Sequence, residues 1–237
     1  ASLDILEEVG VVFRDDIALE DWRKAGADVR GERVHLDRGL VKSLIKTIPS
    51  EITLHARNPE KTVALGGRQS IFIPMTGAPY LRDLEDVRRA PTLDDLATFH
   101  KLAHMLPAMH SSAHHIVEPM DHPISHRHLR ITHSSMLYSD KTFMGMTTSG
   151  QNAEDVLDMC AILFGEEYLE THAVVTGNCN GNSPLVWDET MLSAMRAFNR
   201  RNQPVLCSPF VLGGATTPAA TVPTVAQLNA EALSALA

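Results

Sequence analysis

A regular alternation of strand-like and helix-like segments begins near Pro91 and continues to the last residue. Strand-like segments rich in apolar residues start near positions 108, 142, 172 and 204, so the repeat is about 32 residues long. Segments with helical apolar spacing separate them, over 92–106, 124–138, 152–164, 188–202 and 224–237. The first helix has capping-box spacing, with Thr92 followed three residues later by Asp95. Alternation of this period is typical of parallel βα units, which restricts the chain to an α/β fold.

Two features favour a (β/α)8 TIM-type barrel over an open dinucleotide-binding sheet. No GxGxxG motif follows the first strand-like segment, and polar loops follow every such segment rather than only one. A barrel of this type needs eight units in roughly 250 residues, and only about four units fit after residue 90. We therefore expect the N-terminal half of a barrel, in a fragment of a longer protein.

The first 90 residues follow a different pattern, which predicts a small α+β cap. Short helices are indicated near 3–9, 19–25 and 39–48, and a hairpin near 29–36. Between residues 52 and 73 apolar residues alternate between turn signals, which predicts a meander of short strands. We therefore expect a cap over residues 1–90 and the first half of a barrel over residues 91–237.

The composition excludes several classes of partner. The net charge of −8 does not suit a nucleic-acid or anionic-membrane surface, and no apolar run approaches the roughly 18 residues of a membrane span. The acidic N-terminal segment does not resemble a signal peptide, and Cys160, Cys179 and Cys207 form no CxxC pair or disulfide framework. We expect a cytoplasmic globular protein without nucleic-acid or membrane partners. The sequence leaves open whether the protein forms a homo-oligomer.

In a parallel barrel the active site lies at the carboxyl ends of the strands. Those ends correspond here to 111–115, 147–151, 178–183 and 208–217, which are rich in Ser, Thr, Asn, Gly and Pro. No Ser-His-Asp order, P-loop or carboxylate pair stands out among them. This composition predicts a pocket for a small polar or cationic ligand, without strong acid–base catalysis.

The segment 174–188 carries the densest group of neutral polar side chains. Asn178, Asn180, Asn182 and Ser183 follow an apolar strand-like stretch directly. Because Asn and Gly also dominate ordinary turns, a purely structural role stays open for them. The recurrence of polar strand ends along the chain favours a binding role.

Glu231, in the last helix, has two interpretations. It either faces solvent, or it lies near the strand ends, where its carboxylate would attract a cationic substrate. Phe210 is a candidate π-face for a quaternary ammonium, as are Trp187, Phe143 and Tyr80. Most of these aromatic residues are expected in the core.

Eight histidines between His104 and His133 raise the alternative of a metal site. Their spacing matches no HExxH motif, and the neighbouring carboxylates are limited to Glu118 and Asp121. His126 and the histidine two residues later point about 200° apart on a helix. We therefore expect no tightly bound metal.

Several segments together resemble the trimethylamine:corrinoid methyltransferase family. They are ILEEVGV, LHARNPEKTVALGG, GAPYLRDLE leading to RRAPTLDDL, NSPL followed by WD, and PVLCSPFVLGGATTPAATVPTVAQLNAEALSALA, the most specific of them. The resemblance covers the whole chain, although family members are about twice as long. It implies a (β/α)8 barrel that moves a methyl group from a methylamine, or from a quaternary amine such as glycine betaine, to the cobalt of a separate corrinoid protein.

The resemblance also implies the cofactor, the partner and the roles of the site residues. The cofactor is a corrinoid (cobalamin) carried by the partner protein. Members specific for trimethylamine have pyrrolysine at a position that would lie beyond Ala237, and members without it resemble betaine methyltransferases. A quaternary amine leaves as a neutral amine without a proton, which suits the weakly charged strand ends. Asn178, Asn180 and Asn182 would bind a carboxylate or line the mouth of the site, and Glu231 would face the cation.

Three alternatives stay open at this point. The first is a metal-dependent barrel hydrolase or lyase that uses the histidines between His104 and His133. The second is a non-catalytic protein that binds a betaine-like osmolyte. The third is a truncated, inactive product of a methyltransferase gene, whose half barrel would expose strand edges.

Overall fold

The computed structural model describes the chain from Ala1 to Ala237. Its residues group into two compact units, each built from segments that are distant in sequence. Unit 1 comprises Ala1–Pro49, Asn178–Arg196 and Leu206–Ala237, and unit 2 comprises Ser50–Gly177 and Ala197–Val205. The predicted boundary at residue 90 and the predicted (β/α)8 barrel stay predictions.

Nine helices and eleven short strands make up the two units. The helices are α1 (Ser2–Asp4, continued by a π-helical turn over Ile5–Val9), α2 (Asp16–Lys24), α3 (Arg38–Ile45), α4 (Leu93–Met105), α5 (Ile124–Tyr138), α6 (Gly150–Phe164), α7 (Glu166–Thr171), α8 (Glu189–Arg200) and α9 (Thr221–Leu236). The strands are β1 (Val11–Arg14), β2 (Asp28–Arg30), β3 (Arg33–His35), β4 (Glu51–Leu54), β5 (Val63–Gly66), β6 (Leu81–Arg82), β7 (Arg88–Arg89), β8 (Phe143–Met144), β9 (Val175–Cys179), β10 (Val186–Asp188) and β11 (Val205–Cys207). None of the helices combines the length and the apolarity that crossing a membrane requires.

The helices predicted after residue 90 are confirmed. They correspond to α4, α5, α6, α8 and α9, with ends that differ by at most a few residues. Helix α9 begins earlier than predicted, at Thr221, and includes Pro223 in its first turn, where proline is tolerated. The predicted hairpin near residues 29–36 is confirmed as the antiparallel pair β2–β3.

The predicted continuous strand near residues 108–119 is wrong. Only single bridges form there, from Ser111 to Thr142 and from Val117 to Ala78. Between them Ala113 has a φ of 57°, which interrupts an extended backbone. The hydroxyl of Ser111 donates to the carbonyl of Thr142 at 2.9 Å, so a side chain takes over part of the strand's hydrogen bonding.

The predicted meander between residues 52 and 73 forms only in part. The hairpin β4–β5 is confirmed, with Ile52 opposite Leu65. Residues 71–73 form no strand, because the backbone of Phe72 pairs with His110 instead. The N–H of Phe72 donates to Nδ1 of His110 at 3.0 Å, a side-chain contact that alternation of apolar residues does not reveal.

A parallel strand pair carries the βα repeat in unit 2. Strand β8 pairs in parallel with β9, with Phe143 opposite Val175 and Met144 opposite Thr176. In the sheet, β9 lies between β8 and β11. The parallel bridge from Ser111 to the residue before β8 adds the segment that precedes α5. These segments are neighbours in sequence order, as βα units require.

Buried Lys141 holds the segment that leads into β8. Its Nζ donates to the carbonyls of Ala103, Leu106 and Met109 at 2.7, 2.8 and 2.7 Å. Two of these carbonyls lie at the C-terminal end of α4, where helix carbonyls lack partners of their own. The ammonium group therefore caps α4.

Buried Gln203 performs the matching role at the start of β9. Its Oε1 accepts from the N–H groups of Val174 and Val175 at 2.8 and 3.3 Å. Its Nε2 donates to the carbonyls of Leu169 and His172, both at 2.9 Å. One amide side chain thus satisfies four backbone groups of unit 2.

In unit 1 the sheet has the order β10-β1-β3-β2. Strand β1 is parallel to β10, with Phe13 opposite Trp187, and antiparallel to β3. Helix α9 packs against α1 and α3. Asp15 caps α2 through the N–H of Ala18 at 2.7 Å and also accepts two hydrogen bonds from Arg196 at 2.8 and 2.6 Å.

Gly145 follows β8 at a position without room for a side chain. A Cβ atom there would lie 2.8 Å from Cγ1 of Val156 and 2.9 Å from Cζ of Phe198. We expect Gly145→Ala to destabilise the protein by about 1–3 kcal/mol, because the core must shift to admit the methyl group. Gly213→Ala is the matched control, since a Cβ atom at Gly213 meets nothing within 4 Å. Chemical denaturation of both variants measures the difference, and equal stabilities would contradict the packing argument.

The predicted capping box at the start of α4 is confirmed. The carboxylate of Asp95 accepts from the backbone N–H of Thr92 at 2.8 Å and from Arg89 at 2.6 and 2.7 Å. The hydrogen bonds from Arg89 hold the pKa of Asp95 below its ordinary value of 3.8. The stabilisation is therefore complete above about pH 4 and is lost as the pH falls through the lowered pKa.

Replacing Asp95 should expose this pH dependence. We expect Asp95→Asn to lower the free energy of unfolding by about 1–2 kcal/mol at pH 7, because the cap and its ion pair are lost. The gap to the wild-type protein should shrink as the pH falls below about 4. The exposed neighbour Asp94 provides the control Asp94→Asn, for which we expect a smaller loss. A gap that stays constant down to pH 2 in urea titrations would contradict the assignment.

Candidate functional site

The segment that follows β9 forms a loop in unit 1 and leads into β10. Gly181 lies against the indole of Trp187, and a Cβ atom at Gly181 would stand 3.2 Å from the ring. Trp187 is fully buried, and its Nε1–H donates to the hydroxyl of Ser234 at 3.1 Å. The loop is therefore packed on the core of unit 1, and we call residues 178–185, from the last two residues of β9 to the residue before β10, the amide loop.

The three asparagines of the amide loop differ in their contacts. Oδ1 of Asn178 accepts from the hydroxyl of Ser208 at 3.0 Å, and its Nδ2 donates to Oδ1 of Asn180 at 3.5 Å. Asn182 donates its Nδ2–H to the carboxylate of Asp188, the residue that ends β10. Asn180 and Asn182 are exposed and Asn178 is half-buried. Because Asn182 is bound to Asp188, Asn180 is the amide of this group that is best placed to meet a ligand.

Glu231 lies beneath the amide loop and is only 1% exposed. Its carboxylate accepts from the hydroxyl of Ser183 at 2.5 Å, from the N–H of Leu185 at 3.0 Å and from Nε2 of Gln227 at 2.8 Å. The interpretation of Glu231 as part of a solvent-exposed helix face is wrong. The structure brings Glu231 together with the amide loop, but both of its oxygens are used by donors of the chain.

Phe210 is the exposed aromatic residue beside the amide loop. Its backbone N–H lies 3.4 Å from the carbonyl of Gly181, and its side chain is 66% exposed. Trp187 and Phe143 are core residues. Tyr80, in unit 2, is exposed, with the guanidinium of Arg88 lying 4.1 Å from its ring centroid.

Unit 2 places two buried imidazoles, those of His100 and His114, near its first strand-like segment. Nε2 of His100 lies 2.7 Å from the carbonyl of His114 and therefore donates, so Nδ1 accepts from the hydroxyl of Ser134 at 2.9 Å. Nδ1 of His114 accepts from the N–H of His115 at 2.6 Å. Burial lowers the pKa of His100 to about 4 and also lowers the pKa of His114, so both rings are neutral at pH 7.

His100 was not among the site residues predicted from the sequence. It lies four residues after Leu96 and three residues before Ala103, and all three are buried. A histidine on the apolar face of a helix was the available signal. That signal places the ring in the core, but it does not identify its partners across unit 2.

The histidines between residues 104 and 133 are dispersed. No group of three or more His, Cys, Asp and Glu side chains is arranged to hold a metal ion. Nε2 of His128 lies 2.8 Å from Asp155, and Nδ1 of His104 lies 3.1 Å from Asp140. His128 and His104 thus lie beside different carboxylates, and the metal-dependent alternative receives no support from the geometry.

All three cysteines are free. Burial raises the pKa of the Cys160 thiol in α6, and it raises the pKa of Cys207, in β11, to about 11. Sγ of Cys179 lies 3.6 Å from the carbonyl of Met191. At neutral pH, Cys160 and Cys207 are therefore thiols rather than nucleophilic thiolates.

Comparison with known sequences identifies the family. The family model described as trimethylamine methyltransferase (MTTB) matches residues 1–237. The chain belongs to the trimethylamine methyltransferase family. The resemblance noted in the sequence is confirmed by this match.

Three curated members of the trimethylamine methyltransferase family show what the chain is similar to. It is 41% identical to a glycine betaine methyltransferase of Desulfitobacterium hafniense (strain Y51), over 99% of this chain and 49% of the relative. It is 27% identical to a proline betaine:corrinoid methyltransferase of Eubacterium limosum, over 99% of this chain and 50% of the relative. It is 25% identical to trimethylamine methyltransferase MttB of D. hafniense (strain DSM 10664 / DCB-2), over 100% of this chain and 48% of the relative. The chain thus spans about half the length of these relatives.

The contact of Trp187 with Ser234 offers a test of how the amide loop is supported. Ser234→Ala leaves the indole N–H buried without its acceptor, so we expect a loss of about 1–3 kcal/mol in the free energy of unfolding. The control is Ser193→Ala, because Ser193 is half-buried and its hydroxyl bonds only within α8, to Thr190 at 2.9 Å. Urea denaturation compares the two, and similar small losses would contradict the assignment.

Proposed function

We propose that this chain belongs to an enzyme that transfers a methyl group from a quaternary amine of the glycine betaine kind to the Co(I) corrinoid of a partner protein. The observation that carries the proposal is the 41% identity, over 99% of the chain, to a protein named glycine betaine methyltransferase. A second relative is named proline betaine:corrinoid methyltransferase, which supports both the betaine and the corrinoid. The corrinoid is the methyl acceptor and stays with its own protein.

The amide loop suits a substrate that leaves without a proton. Its polar side chains are neutral amides, a thiol and a hydroxyl, and the carboxylate beneath it accepts three hydrogen bonds. The nucleophilic Co(I) centre supplies the chemistry, and demethylation of a quaternary amine releases a neutral tertiary amine. The task left to the chain is to bind, orient and desolvate the substrate.

We assign the substrate-binding roles to the amide loop and its surroundings. Asn180, with Asn178 and Asn182, would donate amide N–H groups to the carboxylate of a betaine. Phe210 would offer its ring to the trimethylammonium group. Glu231 would support these side chains from beneath the loop.

We also propose that the βα repeat is the first half of a (β/α)8 barrel. The parallel pair β8–β9, the neighbouring β11 and the bridge at Ser111 support this arrangement. In such a barrel the amide loop would lie at the catalytic face, because it follows the carboxyl end of β9. A cytoplasmic location agrees with the three free cysteines.

Methyl transfer by the full gene product tests the proposed function. Photoreduced Co(I) cobalamin, or the cognate corrinoid protein, is supplied with glycine betaine, proline betaine, carnitine or trimethylamine. We expect methyl-Co(III) absorbance to appear with a quaternary amine and not with trimethylamine. Transfer from trimethylamine alone would contradict the proposed substrate class, and tight betaine binding without any transfer to the cognate protein would favour a binding protein.

Asn180 should contribute to substrate binding rather than to stability. We expect Asn180→Ala to raise KM for the quaternary amine about tenfold, because one charge-assisted hydrogen bond is lost, with little change in thermal stability. Asn199→Ala, at an exposed position of α8, serves as the control and should leave KM unchanged. Steady-state methyl transfer measures both, and an unchanged KM in Asn180→Ala would remove Asn180 from the site.

A further inference from the structure

The carboxylate of Glu231 is occupied by the amide loop. One oxygen accepts from the hydroxyl of Ser183, and the other accepts from the N–H of Leu185 and from Nε2 of Gln227. Gln227 lies one turn earlier in α9, so Ser183 and Leu185 are the contacts that reach another element. All three donors are neutral, and the carboxylate is 1% exposed.

These hydrogen bonds hold a backbone conformation that would otherwise be unfavourable. Leu185 has a φ of 56°, in the left-handed region that residues with a Cβ atom rarely adopt. Such a conformation persists only where the surroundings hold it. The hydrogen bond from the N–H of Leu185 to Glu231, at 3.0 Å, is one such restraint. The bond from Ser183 fixes the position two residues before it.

The segment from Ser183 to Leu185 adjoins the amide side chains to which we assign substrate binding. Ser183 directly follows Asn182, which is itself tied to Asp188. At the other end of the loop, Asn178 is tied to Ser208. Glu231 thus holds the C-terminal end of the loop, next to the anchor at Asn182, while Ser208 holds the N-terminal end.

We propose that Glu231 is a positioning residue: it sets the amide loop for substrate through Ser183 and Leu185 and does not itself contact the ammonium group. This inference rests on the proposed function, since it concerns binding of a betaine-like ligand. It replaces the expectation that Glu231 faces the cation. A carboxylate that touched the cation would need an accessible oxygen, whereas Glu231 is 1% exposed and both of its oxygens face donors of the chain.

Two ligands distinguish positioning from direct contact. Glycine betaine and 3,3-dimethylbutanoate have the same shape and the same carboxylate, but the second has a neutral carbon in place of the ammonium nitrogen. Loss of a direct contact to the cation weakens the binding of glycine betaine alone. Loss of loop positioning weakens both ligands by the same factor, because both depend on the amides.

The experiment measures the Kd of both ligands by NMR titration of the full gene product. The variants are Glu231→Gln, Ser183→Ala and the double variant, with Ser193→Ala as the control. The glutamine keeps an oxygen for Leu185 and turns its NH2 group toward Ser183, so the hydroxyl can no longer donate to a carboxylate, and Ser183→Ala removes that same charge-assisted hydrogen bond. We expect each to weaken both ligands about tenfold, and the double variant to be about tenfold rather than about a hundredfold weaker.

Hydrogen exchange of the 178–187 segment provides a readout that needs no ligand. We expect faster exchange in Glu231→Gln and Ser183→Ala and no change in Ser193→Ala. A loss confined to glycine betaine, additive single effects, or an unchanged Kd in folded variants that merely melt earlier would each overturn the positioning role. If the wild-type protein binds neither ligand while the exchange effect persists, the proposed substrate class fails and the loop-holding role stands.

Discussion

Pairing of buried backbone groups where short strands end is the constraint on which the structure depends. Strand β8 has two residues and β11 has three, so regular ladders leave many N–H and C=O groups to be satisfied otherwise. Gln203 satisfies four of them, and Lys141 satisfies three carbonyls. Buried polar side chains of this kind are costly unless every bond is made. They therefore specify one arrangement of the strands that precede the polar loops.

In unit 1, too, a buried polar side chain pairs with backbone and side-chain groups, but these belong to a loop instead of a strand. Glu231 holds Ser183 and Leu185, and Trp187 closes the space beneath Gly181. A quaternary ammonium offers no N–H, so its recognition relies on the shape of the site, on its electrostatic potential and on aromatic ring faces rather than on hydrogen bonds to the cation. A loop that already has its binding conformation loses less conformational entropy when such a substrate binds.

Structural features set by residues close together in the chain could be predicted from the sequence, whereas contacts between distant residues could not. Helices α4 to α6 were predictable because apolar spacing and the Thr92–Asp95 cap are contained in a few turns. The broken strand around Ala113 was not, because its hydrogen bonds come from residues some thirty positions away. The amides of the loop were visible as a cluster. The burial of Glu231 was not, since an acidic residue in a helix is usually exposed and its partner Ser183 lies 48 positions away in sequence.

The protonated state of Cys207 has a consequence for the proposed methyl transfer. An activated methyl group reacts with any strong nucleophile within reach, and a cysteine thiolate is the strongest that an ordinary chain can offer. Burial raises the pKa of Cys207 to about 11, which leaves roughly one thiolate in ten thousand at pH 7. Under the proposed function, this side chain would therefore not compete with the external acceptor for the methyl group.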